Sequence, residues 1–206
     1  MSNVFHRFAP FIQDYIYRCK WEELREIQVL AAEAIFDTDE NLLLSSGTAS
    51  GKTEAAFLPV LTQLWENPSA SVGVLYLSPL KALINDQFER LEGLLEEAAI
   101  PVTKWHGDAS AAAKKRVMKR PQGVIQTTPE SLESMLMHNS SGAFKLFSDL
   151  RFVIIDEMHY FMDNDRGLQL LCLLERLARL IGYAPRRIGL SATLGDTTNA
   201  EEWLNT

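Results

Sequence analysis

Six short runs of aliphatic and β-branched residues, each followed by a longer amphipathic stretch, constrain the fold of this 206-residue chain more than any other feature. The runs cover 41–46, 72–78, 102–106, 123–127, 152–156 and 187–191, and their nearly all-apolar character suits strands buried on both faces. Between them, apolar residues recur at helical spacing: Phe57, Val60, Leu61 and Leu64; Leu83, Ile84, Phe88, Leu91 and Leu95; Leu170, Leu173, Leu174, Leu177 and Ile181. Strand–helix alternation of this kind predicts an α/β fold, a mainly parallel sheet with helices on both faces. Pro59 falls inside a predicted helix and is expected to kink it, since proline removes a backbone hydrogen bond. Segments 67–71 and 139–142 read as surface loops.

Two motifs at strand ends carry chemistry. Ser46-Gly47-Thr48-Ala49-Ser50-Gly51-Lys52-Thr53 leaves an apolar strand and opens a helix, which is the setting a phosphate-binding P-loop requires. Small residues let backbone N–H groups of Thr48, Ala49, Ser50 and Gly51 curl round phosphate oxygens, and the helix N-terminus adds partial positive charge. Lys52 is placed to reach the β- and γ-phosphates, and Thr53 to ligate magnesium. The loop departs from the usual pattern at Ser46, where a glycine is common, and at Ala49. The second motif is Asp156-Glu157-Met158-His159, which ends the run Phe152-Val153-Ile154-Ile155. Open α/β sheets bind ligands at the carboxyl ends of their strands, so this pair sits where Asp156 can hold magnesium through water and Glu157 can orient and deprotonate a hydrolytic water. ATP and Mg2+ are therefore the expected cofactors, with Lys52, Asp156 and Glu157 as catalytic residues.

Composition narrows the class further. The longest leucine-rich stretch, 168–181, is broken by Glu175, Arg176 and Arg179, so no membrane-spanning helix is expected and no membrane partner. Only Cys19 and Cys172 occur, which supports neither a disulfide framework nor a zinc site and suits a cytoplasmic protein. A net charge of −7 argues against nonspecific wrapping of nucleic acid, though a local groove can track a backbone on an acidic molecule. Lys114, Lys115, Arg116, Lys119 and Arg120 form a basic run that reads as a solvated helix face, and no aromatic-basic platform for direct base recognition is evident.

With those motifs in order, the chain resembles the first RecA-like domain of superfamily 2 helicases, and Asp156-Glu157-Met158-His159 resembles that family's DExH motif II. The resemblance runs from about Phe11 to Thr193. It implies that Gln28, with Arg25 three residues earlier, reads adenine, and that Phe11 upstream stacks on the base. It implies nucleic-acid contacts at Pro79 and Lys81 in motif Ia, at Gly107 and Asp108 in motif Ib, and at Thr128 and Pro129 in motif Ic. Each of these loops follows a predicted strand and offers helix N–H groups or hydroxyls to successive phosphates, which suits backbone tracking; helix capping by Ser78, Asp108 or Thr128 is the alternative. Ser191-Ala192-Thr193 resembles motif III, which implies that Ser191 and Thr193, together with His159, couple the ATP site to the nucleic-acid path. Trp21, Arg25 and Gln28, with the 164–167 turn, resemble the Lhr-like DNA helicases, a likeness that adds Arg166 as a nucleic-acid contact and favours DNA over RNA.

The function implied is the ATP-binding first motor domain of an ATP-dependent helicase, coupling Mg-ATP hydrolysis to unwinding or translocation on DNA or RNA. A translocase that does not separate strands, or a nucleotide-binding scaffold, are the alternatives. Residues 1–206 are expected to form one such domain, with 1–38 a helical preface bearing the Q motif and 39–206 the P-loop core. The family's second RecA-like domain carries an arginine finger commonly worth about 10³–10⁵ in rate. Nothing after Thr193 can supply it, so the chain reads as an excised fragment whose full-length form has that domain as a partner, and which alone turns ATP over very slowly. Segment 196–206 reads as the start of a further helix.

Overall fold

The computed structural model describes residues 3–47, 50–80, 93–96, 98–162, 164–192 and 197–206. A 3₁₀ turn at Asn3–Arg7 leads into helices α1 (Pro10–Arg18) and α2 (Glu26–Asp37), then strand β1 (Leu42–Ser45), α3 (Lys52–Glu66) and β2 (Val72–Leu77). There follow β3 (Val102–Trp105), α4 (Ala111–Lys119), β4 (Gly123–Thr127), α5 (Pro129–His138), α6 (Ser140–Phe147) and β5 (Phe152–Ile155). A 3₁₀ turn at Met158–Tyr160, α7 (Asp165–Ile181), β6 (Arg186–Ser191) and α8 (Thr198–Asn205) complete the order. Of the helix expected over Leu83 to Leu95, residues 93–96 are helical with Leu95 buried, and Leu83 to Leu91 lie outside the described residues.

Six strands form one sheet in the order β1-β6-β5-β2-β4-β3, and every described pairing is parallel. Because side chains alternate across a sheet, each strand feeds two cores. Leu44, Val74, Tyr76, Ile154, Ile188 and Leu190 point to one face, where Phe57, Leu58 and Leu61 of α3 pack beneath α1 and α2. Leu75, Leu77, Val153 and Ile155 point to the other, against Leu132 of α5, Phe147 of α6 and Leu170, Leu173 and Leu177 of α7. Fully burying one such aliphatic or aromatic side chain contributes about 1.5–3 kcal/mol, so each face alone supplies much of the driving force.

The N-terminal segment is part of this packing. Phe5, Phe8, Ile12, Ile16, Ala32 and Ile35 are buried in the same cluster as α3, and Thr62 of α3 accepts a hydrogen bond from the Ala9 amide at 3.1 Å. Arg186 of β6 ties α2 down from the sheet side by donating to the Ala34 and Ile35 carbonyls at its C-terminus, at 3.1 and 3.0 Å. This is where an arginine best complements the helix dipole.

α3 is continuous from Lys52 to Glu66 through Pro59, since burial of both its flanks outweighs one missing backbone bond. One local expectation changes. The 139–142 segment is not a surface loop: Asn139 caps α6, accepting from the Gly142 amide at 3.0 Å, and Ala143, Leu146 and Phe147 bury the helix. Ser-Ser-Gly composition hid an N-cap, since the residues that favour loops also favour helix starts.

Candidate nucleotide site and nucleic-acid groove

Strand order brings three loops together at one end of the sheet. β6 lies between β1 and β5, so the loop after β1, the end of β6 and the acidic turn after β5 are neighbours. The Ser46 amide donates to the Ser191 carbonyl at 3.3 Å, stitching the first two. Gly51 takes the left-handed conformation, φ +85°, that ends the loop and opens α3. A β-carbon there would meet Gln28 Nε2 at 2.9 Å, so glycine is required both by the backbone and by what lies over it.

Lys52 Nζ donates to the carbonyls of Ser46 at 2.6 Å and Gly47 at 2.9 Å, holding the ammonium over the loop it opens. The hydroxyls of Ser46 and Ser50 bond at 2.5 Å, so the serine in the place of a first glycine closes the loop on itself. Thr53 is buried in the first turn of α3. Thr48 and Ala49 lie outside the described residues.

Asp156 is 5% exposed, and among the described residues its carboxylate accepts from the Tyr76 hydroxyl at 2.5 Å to Oδ2 and the Glu157 amide at 3.0 Å to Oδ1. Burial pushes the carboxyl above its ordinary pKa; the Tyr76 bond opposes that rise and the Glu157 charge adds to it. Tyr76, fully buried on β2, is driven well above the usual phenol range by burial and by Asp156, so it stays a donor. No motif names Tyr76. The only signal was a phenol inside the otherwise aliphatic run Val72-Gly73-Val74-Leu75-Tyr76-Leu77.

Glu157 occupies the left-handed region, φ 48° and ψ 47°, which costs a non-glycine residue about 1–2 kcal/mol. That turn brings its carboxylate back beside the strand end, where Glu157 Oε2 lies 3.3 Å from His159 Nδ1. The same nitrogen is 3.3 Å from Ser191 Oγ, so His159 bridges the acidic turn and the end of β6. Thr193 lies outside the described residues.

Gln28 is buried at the start of α2, its Oε1 accepting from the Arg25 amide at 3.0 Å, and both side chains lie over Gly51. Phe11 is not with them, which corrects its expected role at the base. Its ring packs 6.4 Å from that of Trp65, near the C-terminus of α3 and roughly 20 Å along the helix from Lys52. The cause is direction: α1 runs antiparallel to α3, with Ala9 at Thr62, so only its C-terminal end approaches the P-loop. Tyr15 and Trp21 sit at that end, edge to face at 5.9 Å. The Tyr15 hydroxyl is pushed up to about 12, chiefly by burial, with Glu54 in the first turn of α3 among the contributors.

On the other half of the same sheet end, Pro79, Gly107 and Thr128 line a groove of about 520 Å³. Thr128 caps α5, its hydroxyl accepting from the Ser131 amide, with Pro129 as the first helical residue, which is the capping reading of this loop. Arg166 spans the groove's rim: it donates to the Pro79 carbonyl at 2.6 Å, pairs with Glu130 at 2.7 Å, and lies 5.4 Å from the Phe161 ring centroid. Gly167 beside it packs against the Phe161 carbonyl with no room for a β-carbon. Gly107 and Asp108 are exposed at the turn after β3, and Lys81 lies outside the described residues. Lys115, Arg116, Lys119 and Arg120 are exposed, as a solvated face requires, but Lys114 turns inward. It donates to the His106 carbonyl at 2.6 Å and lies over the Trp105 ring, 5.7 Å from its centroid.

This arrangement fits a nucleotide triphosphate with magnesium. A glycine-ended loop with a lysine faces a buried carboxylate whose oxygens each keep a lone pair, and Thr53 adds a hydroxyl. Among the described residues no cluster of three or more His, Cys, Asp or Glu could hold a metal ion by itself.

Residues 25–201 match the family model of the DEAD/DEAH box helicase. The chain is 35% identical over 201 residues to the ATP-dependent helicase Lhr-Core of Methanothermobacter thermautotrophicus, covering 90% of this chain and 23% of that protein. The structure of Mycobacterium smegmatis helicase Lhr bound to ssDNA and AMP-PNP superimposes with a TM-score of 0.81 at 31% identity, over 96% of this chain and 26% of that one. The DUF1998 helicase MrfA bound to DNA gives 0.85 at 27% identity, over all of this chain and 29% of that one. The chain thus spans about a quarter of the length of these relatives.

Proposed function

Because the chain belongs to the DEAD/DEAH box helicase family, we propose that it is the RecA-like ATP-binding motor domain of an ATP-dependent nucleic-acid helicase. The observation that carries this is the array at one sheet end: Lys52 on its loop, Asp156 held by Tyr76, and Glu157 joined to Ser191 through His159. Lys52 would exchange its carbonyl partners for the β- and γ-phosphates. Asp156 and Thr53 would hold Mg2+, which when bound supplies charge neutralisation between the phosphates. Glu157 would orient the attacking water and take its proton. Gln28 and Arg25, lying over Gly51, would face the adenine, with Tyr15 and Trp21 rather than Phe11 on that side of the pocket.

The groove would carry a single strand past Pro79, with the Gly107 amide and the Thr128 hydroxyl meeting phosphates. His159 would transmit occupancy of one site to the other, since it touches both the acidic turn and β6. The relatives solved with ssDNA or DNA bound support DNA as the strand. Productive turnover would need a second RecA-like domain to complete the site.

A fluorescent ATP analogue titrated with Mg2+ into the chain, beside Lys52→Ala, tests the reading. Wild type is expected to bind at least ~100-fold more tightly than the variant, since a charge-assisted phosphate contact is lost with the lysine. Equal binding would remove the P-loop role and with it the motor assignment.

A further inference from the structure

We propose that Trp105 and Lys114 form a stacking subsite that takes one unpaired base of a single-stranded nucleic acid in the groove beside Thr128. The inference rests on the groove being the strand path and goes beyond backbone tracking. Trp105 ends β3, at the edge of the sheet, and its carbonyl accepts from the Thr127 hydroxyl at 2.6 Å, so its backbone is fixed to β4. The turn that follows folds back through Ala109 N–H to the His106 carbonyl at 3.1 Å and starts α4. Lys114 then reaches the same His106 carbonyl at 2.6 Å, which sets its ammonium over the indole. An aromatic and a cation nine positions apart thus become one surface on the groove wall.

Volume and charge both suit a nucleotide. The cavity, about 520 Å³, lies within the roughly 300–1,000 Å³ typical of ligand sites. Glu130, the carboxylate on its rim, is paired with Arg166 at 2.7 Å, so a phosphate entering the groove meets Lys114 without facing an unscreened anion. Burial raises the Glu130 carboxyl while its own backbone amide, Thr128 and Arg166 outweigh that rise, so it stays ionised and paired. Thr128 and Ser131 line the same groove and bring hydroxyls to it. Those groups serve a phosphate; a half-buried indole does not, and the planar group that a strand can offer it is a base.

The four tryptophans are Trp21, Trp65, Trp105 and Trp203, and of these Trp105 lines the groove, so intrinsic fluorescence reports on the subsite. We would titrate the chain with oligo(dT), oligo(rU) and an abasic oligodeoxynucleotide of equal length. Base-bearing strands are expected to bind roughly 5- to 100-fold more tightly than the abasic strand and to quench the emission. Trp105→Phe should keep most of that preference and lose the quench; Trp105→Leu should lose the preference and bind all strands as wild type binds the abasic one. Should Trp105→Leu not fold, the quench in wild type and its loss in Trp105→Phe decide the matter. Equal wild-type affinity for abasic and base-bearing strands overturns the subsite but leaves the strand path standing. A preference shown by only one of dT and rU assigns the contact to the sugar and also overturns it. Failure of every strand to bind removes the strand path itself.

Discussion

The two halves of the sheet end are built differently. Around Asp156 the carboxylate and its Tyr76 donor are buried and held at short range, with the Glu157 amide on the other oxygen and the half-buried Lys52 anchored on its own loop. Around the groove the contacts are half exposed and made by long side chains: Arg166 to Pro79 and Glu130, Lys114 to His106 and Trp105. In the first region low dielectric makes each hydrogen bond costly to lose and fixes one geometry. In the second, water screens the same kinds of bond and lets them exchange for a ligand. On the proposed function, a site that must place one water and one metal ion is rigid, and a path along which a strand moves is held by contacts that can be remade.

Substitutions on the two sides should therefore differ in what they change. The largest effect is expected from Glu157→Gln in a chain with both motor domains, where steady-state ATP turnover should fall by about 10²–10⁴ while nucleotide affinity holds. Retained turnover would take the base assignment from Glu157. Next, Tyr76→Phe leaves a buried carboxylate oxygen without its donor and should cost about 1–3 kcal/mol in urea denaturation. Lys114→Met on the groove side should cost less than about 1 kcal/mol in the same measurement. If the two are equal, the contrast between a rigid and an adaptable half is wrong.

The pH response sharpens the same contrast. The Asp156 carboxyl lies above its ordinary value in the fold, chiefly through burial. Its contribution to stability is therefore fully present below the unfolded pKa and is lost as pH rises through the folded one, so the ionised form is held at a cost. Mg2+-dependent nucleotide binding should then fail on acidification at a higher pH than an exposed aspartate would require, and Asp156→Asn should raise the melting temperature at neutral pH. Strand binding by the groove should ignore that pH range and respond to salt instead, through Lys114. A matching pH profile for both ligands would dissolve the distinction. Smallest of all, Arg166→Ala should weaken strand affinity only a few-fold, about 1 kcal/mol or less, because the arginine acts by holding the Pro79 and Glu130 rims. A loss beyond tenfold in a filter-binding assay would make it a direct phosphate ligand.

The sequence was most legible where function depends on neighbours along the chain. The P-loop, the acidic turn and the strand spans need only a local pattern: apolar period, small residues, and a lysine or carboxylate at the strand's end. The strand expected at 72–78 is β2 at Val72–Leu77, and the one at 123–127 is β4 with the same bounds. His159 approaches Ser191 to 3.3 Å because β6 lies beside β5.

Register and helix direction decided the rest. Tyr76 meets Asp156 because β2 pairs with β5 so that Tyr76 lies opposite Ile154, two residues before the aspartate and on the same face. Phe11 is carried away from the nucleotide loop because α1 runs against α3, a direction no spacing of aromatics reveals. Trp105 and Lys114 become one surface through a turn whose hydrogen bonds, not its composition, bring α4 back over the strand end. Local chemistry is written in consecutive residues because a backbone turn and its own side chains suffice to make it. Contacts between distant residues arise only when burial of two apolar faces selects one strand order, and that selection belongs to the whole sheet.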